Sequence, residues 1–362
     1  MCKKIRAIVL FAAMIAATGW MIGCGEAVKG ATTTTTSTTT TTGSVTTTTS
    51  STTTTTILTG PTAPPETAVK LVFVHHSNGE NWLADTNGGL GIALRDNNYF
   101  VSDTNYGWGG DSLNFGDGPF GDLTDLGFWY DWFRGPHSST VLAALYDESG
   151  ENPVDPSNSY SRLSSDPGGE NQIIMFKSCF PSTNLFGNPD DPAATGATNP
   201  IVGVWAAFDD PTEQPTSYNV ANAKWVYNQI LEYFRTRPDK LFIAVTYPPR
   251  TAGNYVGSNA DNARGFFNWM VNDWLDGYSA SDGSQNVAVW DFYNVETGPN
   301  NHHYYSGGVQ HIIAPGSANT AYYPVATDGS DDHVNQTGNI KATNEFVPLL
   351  NYYYNVWQAS RP

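Results

Sequence analysis

Two residue types far apart in the sequence carry the chemistry. Ser77 stands just after an apolar run, in His75-His76-Ser77-Asn78-Gly79-Glu80-Asn81, and His333 closes the block Asp328-Gly329-Ser330-Asp331-Asp332-His333. A serine hydroxyl is a weak nucleophile until an imidazole takes its proton. A carboxylate then fixes the imidazole tautomer and stabilises its charged form. Asp331 and Asp332 are the local candidates for that third part. Two more polar blocks follow apolar runs, Asp103-Thr104-Asn105-Tyr106-Gly107-Trp108-Gly109 and Lys177-Ser178-Cys179-Phe180-Pro181. Such a set points to nucleophilic acyl transfer. No Gly-x-Ser-x-Gly elbow surrounds Ser77, which removes the main support for an α/β-hydrolase.

The elements that must position these blocks are legible as hydrophobic patterns. Short, nearly continuous apolar runs at 69–75, 99–102, 172–176, 240–246 and 286–292 predict strands buried on both faces, as in a parallel sheet. Apolar residues spaced by three and four predict helices over 221–237, 260–275 and 338–357, with Pro238 ending the first. Strand and helix alternate, so the expectation is an α/β sandwich with one mostly parallel, five-stranded sheet. Ligands in such sheets bind beyond the carboxyl ends of the strands, where all of the polar blocks fall. The stretches 107–171 and 181–216 break the rhythm and are expected to be long irregular loops of functional use.

The order of these blocks resembles the SGNH, or GDSL-like, hydrolase superfamily over roughly residues 69 to 357. There a serine follows strand one, a glycine strand two and a polar donor strand three, and an Asp-His block precedes the last helix. The resemblance implies a flavodoxin-like three-layer α/β/α fold and an esterase or deacetylase activity that needs no metal and no cofactor. Carried over by position, it implies Ser77 as nucleophile, the backbone N–H of Gly107 or Gly109 as oxyanion donor, and His333 as general base. The chain departs from the family pattern at three places. His75-His76 stands before the serine instead of Gly-Asp, and Lys177-Ser178-Cys179-Phe180 replaces the Gly-x-Asn-Asp block, with the nearest asparagine at Asn184. Ser330 occupies the usual place of the acid three residues before His333, leaving Asp331 to reach Nδ1 from a turn. Ser178, Asn184 or Lys177 would then replace the missing oxyanion donor. Lys177, a cation ending a buried strand, needs either a charged partner or a substrate.

Other residues suggest how a substrate would be held. His76, Asn78 and Trp108 flank the two glycine-rich blocks and are expected to line the site. The run Phe128 to Phe133, with Trp82, Trp108, Tyr304 and Tyr305, offers flat surfaces for sugar rings if any of them is exposed. His302, His303 and His311 match no zinc-binding spacing, so no metal site is expected. Cys179 has no second cysteine near it and reads as a buried thiol.

The amino-terminal segment bears on location. Residues 1–23 combine a basic start at Lys3, Lys4 and Arg6 with an apolar run ending in Gly23, directly before Cys24. This is an export signal. It resembles that of bacterial lipoproteins, which implies cleavage before Cys24, a lipid on that thiol and a place in the bacterial cell envelope. Residues 24–65, nineteen threonines among them between 32 and 56, have no apolar periodicity and are expected to form a disordered tether. A flexible chain of that length reaches about 35 Å. The domain proper is then 66–362.

The formal charge is −17, and four of the 17 basic residues, Lys3, Lys4, Arg6 and Lys29, precede that domain. An acidic domain excludes nucleic acid as a partner and disfavours anionic polymers. A neutral carbohydrate ester or related small ester is the substrate class expected. The rival expectation is a glycan-binding surface lipoprotein without catalysis on the same fold.

Overall fold

The computed structural model describes residues 60–208 and 210–362. The signal segment and Cys24 lie outside the described residues, as does the threonine-rich stretch. Five strands, β1 (Val69–Val74), β2 (Tyr99–Thr104), β3 (Ile173–Phe176), β4 (Leu241–Val245) and β5 (Val287–Trp290), form one sheet in the order β2-β1-β3-β4-β5. Every neighbouring pair is parallel. The fold is a three-layer α/β/α sandwich with the flavodoxin-like strand order.

Each strand is buried on both faces because its side chains alternate between two cores. Leu71 and Phe73 of β1, Met175 of β3 and Ile243 of β4 pack with Trp82, Leu90 and Phe346. Those rings and chains come from α1 (Ser77–Leu83), α2 (Leu90–Asp96) and the long carboxy-terminal helix Gln336–Ser360. Val72, Val74, Ile174 and Phe242 face the other way, onto Trp129, Val141, Tyr227 and Phe266. That layer consists of α3 (Trp129–Arg134), α4 (Ser138–Asp147), α5 (Val220–Arg235) and α6 (Asn259–Asn272). The caps are local: Asn219 accepts a hydrogen bond from the Asn222 N–H at 2.9 Å and starts α5.

Two expectations about the architecture need correction, and one element was not foreseen. The interval 107–171 is not structureless but carries α3 and α4, and its aromatic run is core: Phe128, Trp129, Trp132 and Phe133 are buried. Six successive residues with five aromatics have no polar face to reveal a helical period, so periodicity could not find α3. A two-stranded antiparallel hairpin, β6 (His302–Tyr305) with β7 (Val309–Ile312), follows the short helix α7 (Phe292–Glu296) and turns at Gly307-Gly308. Finally, residues 61–65 belong to the folded part rather than to a tether. Asn355 donates to the carbonyls of Pro61 and Ala63, Asn351 to that of Thr62, and Asn98 to that of Pro65. The helix that supplies Asn351 and Asn355 is α8 (Gln336–Ser360), opened by Asn335, whose side chain accepts from the Gly338 N–H.

Candidate active site

The chain runs from β1 outward to β2, then crosses back over β1 to β3, so the carboxyl ends of β1 and β3 flank the switch in strand order. Ligand crevices form at such switches. Ser77, two residues beyond His75, opens α1 at that end of β1, and the residues after Phe176 stand beside it. The loop before α8 brings in the third segment.

These three segments converge. His333 Nε2 lies 2.7 Å from Ser77 Oγ, and His333 Nδ1 lies 2.6 Å from Asp331 Oδ1. The same Asp331 oxygen accepts the His333 backbone N–H at 2.9 Å, which closes the tight turn that lets an acid two residues upstream reach the ring. The hydrogen bond from His333 holds the Asp331 carboxyl below the usual carboxylate range, against partial burial. Asp332 points elsewhere. It pairs with Arg250 at 2.9 Å and accepts from the N–H and hydroxyl of Thr251 and from Asn254. Arg250 sits over the Phe180 ring, 5.4 Å from its centre, and Phe180 meets the His333 imidazole edge to face at 5.3 Å. Asp332 thus braces the histidine through Arg250 and Phe180.

Of the other residues singled out by sequence, several lie at this site but none of them simply faces it. His76 is buried. Its Nε2 is 2.9 Å from the Gly121 carbonyl, and burial lowers its pKa to about 3, so the ring is neutral and donates there. Asn78 is buried, with Nδ2 donating to Cys179 Sγ at 3.2 Å and Oδ1 accepting the Val334 N–H at 3.1 Å. It ties the segment after β1 to those after β3 and before α8, which is a positioning task. Cys179 Sγ lies 3.9 Å from Ser77 Oγ.

Three of the candidates for an oxyanion donor, Gly107, Ser178 and Asn184, are engaged with other partners. The Gly107 N–H is already given to Asp122 at 2.7 Å. Gly109 opens a single helical turn and packs on Leu113. The Ser178 hydroxyl is buried and accepts from Trp129 Nε1 at 2.8 Å. Asn184 is buried against Asn259. Lys177 is buried with only the Ser178 carbonyl, 3.4 Å away, near its ammonium, and among the described residues no carboxylate lies within ion-pair distance. Burial lowers its pKa to about 8. Trp108 does not line the site either: it is buried, stacked on Trp132, and donates to Glu148. For Ser178, Asn184, Lys177 and Trp108 the side chains are buried by their tertiary contacts.

No family model, curated protein or solved structure matches this chain. The site must therefore be read from its own geometry.

Sequence reasoning missed Tyr106 and Phe208. Tyr106 is 43% exposed and stacks on His76 with ring centres 3.8 Å apart, and Phe208, 57% exposed, packs on Phe180. Exposed rings flanking a Ser-His pair were foreseeable only as a class, since Tyr106 sits inside the block after β2.

The three histidines near the hairpin have separate partners. His302 pairs with Glu345 at 2.8 Å, His303 Nδ1 accepts the Asp291 N–H at 2.9 Å, and His311 Nε2 lies 2.5 Å from Asp291 Oδ2. Among the described residues no group of three or more His, Cys, Asp or Glu side chains converges as metal ligands.

Proposed function

We propose that this protein is a serine hydrolase of the SGNH type, removing acyl groups from a carbohydrate ester or related small ester outside the cytoplasm. In this reading a lipid on Cys24 holds it to the bacterial envelope. The observation that carries the proposal is the hydrogen-bonded series Ser77, His333, Asp331 at 2.7 and 2.6 Å. Both distances lie within the reach that proton transfer requires. The acidic domain and the exposed rings of Tyr106 and Phe208 support a neutral, flat-faced substrate rather than an anionic polymer.

The chemistry follows from the geometry. Ser77 Oγ attacks the ester carbonyl carbon while His333 Nε2 takes its proton. The carbonyl π pair moves onto oxygen, and the Asp331 carboxylate stabilises the imidazolium. Collapse breaks the bond to the leaving alkoxide, which takes the proton from Nε2. Water, activated by the same nitrogen, then releases the acid from Ser77. The test is turnover of p-nitrophenyl acetate by wild type, Ser77→Ala and His333→Ala. Losses of about 10⁴-fold or more are expected in each variant, and equal rates in all three would reject the reading. Polysaccharide binding without ester turnover, unaffected by Ser77→Ala, would favour a binding protein instead.

A further inference from the structure

The sheet ends at β5, so one long side of that strand has no neighbouring strand. A cavity of about 370 Å³ opens there. Val287 and Val289 of β5 line it, with Val271 and Leu275 at the end of α6, Val356 of α8 and Val309 of the hairpin. Two groups on this lining can recognise a polar head: His303 and His311, whose ring centres are 5.4 Å apart. We propose that the cavity binds a free monocarboxylic acid with an aliphatic or aryl body, its carboxylate held by the two imidazoles. None of Ser77, Asp331 and His333 is on the lining, and the inference stands independently of the hydrolase reading.

The hydrogen-bond partner of His303 fixes its tautomer. Nδ1 accepts the Asp291 N–H at 2.9 Å, and burial lowers the pKa to about 3, so the ring is neutral and carries its hydrogen on Nε2. The residue is 1% exposed, and among the described residues nothing accepts that hydrogen. A buried N–H without an acceptor is costly, and a ligand oxygen in the cavity would satisfy it.

His311 supplies the charge. Its Nε2 lies 2.5 Å from Asp291 Oδ2, and among the described residues its Nδ1 has no partner. An imidazolium bonded to one carboxylate through Nε2 donates to a second through Nδ1, a charge-assisted bond of the stronger kind. The charge of Asp291 is already shared out, since Thr246 Oγ1, the Asn294 N–H and Asn294 Nδ2 also donate to it. No Asp, Glu, Lys or Arg is on the lining. One imidazolium and one neutral N–H match a single carboxylate, and nothing there would pair with a second negative charge, which disfavours phosphates and dicarboxylates. The valines and Leu275 take the hydrocarbon body. The cavity is at the small end of the range for small-molecule sites, which suits an acid of modest length.

The experiment is calorimetric titration of the full chain with octanoate, using 1-octanol and octanedioate as head-group controls, on wild type, His303→Phe, Val309→Trp and Ser77→Ala. Phenylalanine removes the Nε2 donor and keeps a flat ring. Val309 is 40% exposed, so a larger side chain there obstructs the cavity without entering the core, and that variant decides the matter if His303→Phe does not fold. The expected result is saturable octanoate binding, about tenfold or more tighter than either control. A loss of about tenfold or more is expected in His303→Phe and in Val309→Trp, with wild-type affinity in Ser77→Ala. A wild type that does not bind octanoate, or binds 1-octanol as tightly, would overturn the proposal. Octanoate binding that is unchanged in Val309→Trp, or that is lost in Ser77→Ala and so belongs to the serine site, would overturn it as well.

Discussion

Of the three His–Asp pairs among the described residues, His333–Asp331 and His311–Asp291 are nearly equal in length, and only the first presents its other ring nitrogen to a serine hydroxyl. His333 meets Asp331 through Nδ1 at 2.6 Å and presents Nε2 to the Ser77 hydroxyl. His311 meets Asp291 through Nε2 at 2.5 Å, and among the described residues no hydroxyl bonds its other nitrogen. The acids differ as much as the rings. Asp331 is half-exposed and serves only His333, through its ring and its backbone N–H. Asp291 is fully buried and also accepts from Thr246 Oγ1, from the Asn294 N–H and from Asn294 Nδ2. A carboxylate with four sets of donors is part of the frame: it caps α7 and ties β4, β5 and the hairpin together. A His–Asp distance alone is therefore no sign of chemistry. What distinguishes the His333 pair is a serine hydroxyl on the other ring nitrogen.

Substitution of the two acids should separate these roles most sharply. Asp331→Asn should lower kcat by about 10³–10⁴-fold with little change in melting temperature, since the ring loses its tautomer and its charge partner. Asp291→Asn should leave kcat within about twofold but destabilise the fold by about 3 kcal/mol, because a buried pair is broken. Steady-state kinetics and thermal melts on both variants check this, and an active Asp331→Asn enzyme would erase the distinction.

A smaller, pH-dependent effect sharpens the same contrast. Burial alone would lower the His311 pKa, but the hydrogen bond and charge of Asp291 outweigh it and raise the value above the ordinary 6.5. Asp291, opposed by its own burial, is held low chiefly by His311. For a histidine with a raised folded pKa, the stabilisation is complete below the unfolded pKa and disappears as pH rises through the folded value. His311→Ala should therefore cost about 2–3 kcal/mol near pH 5.5 and clearly less at pH 9. Melts at the two pH values that show equal losses would mean that the pair is not ionic.

How much of this was legible in the sequence follows from the same physics. The five strands could be found because burial on both faces leaves an almost unbroken apolar run, as in Val69–Val74 and Leu241–Val245. The hairpin at His302–Ile312 was not found, since its residues are only partly buried and do not alternate cleanly, although Gly307-Gly308 marked the turn. At the site, Ser77, Asp331 and His333 were accessible because strand ends and the loop before the last helix confine where such groups can meet. Ser178, Trp108 and Gly107 were not, because the direction of a hydroxyl, an indole or an N–H depends on tertiary partners such as Trp129, Glu148 and Asp122. Tyr106 was hidden by its neighbours: between Asn105 and Gly107 it read as loop, and its stacking on the His76 ring depends on the tertiary fold.

The central claim is that Ser77 is an activated nucleophile, and the most direct measurement is covalent labelling by a fluorophosphonate followed by mass spectrometry of the digested protein. The account predicts a single adduct on the peptide containing Ser77, which disappears in Ser77→Ala and slows by orders of magnitude in His333→Ala, while His311→Ala labels at the wild-type rate. An unlabelled wild type, or labelling that is indifferent to His333, would contradict it.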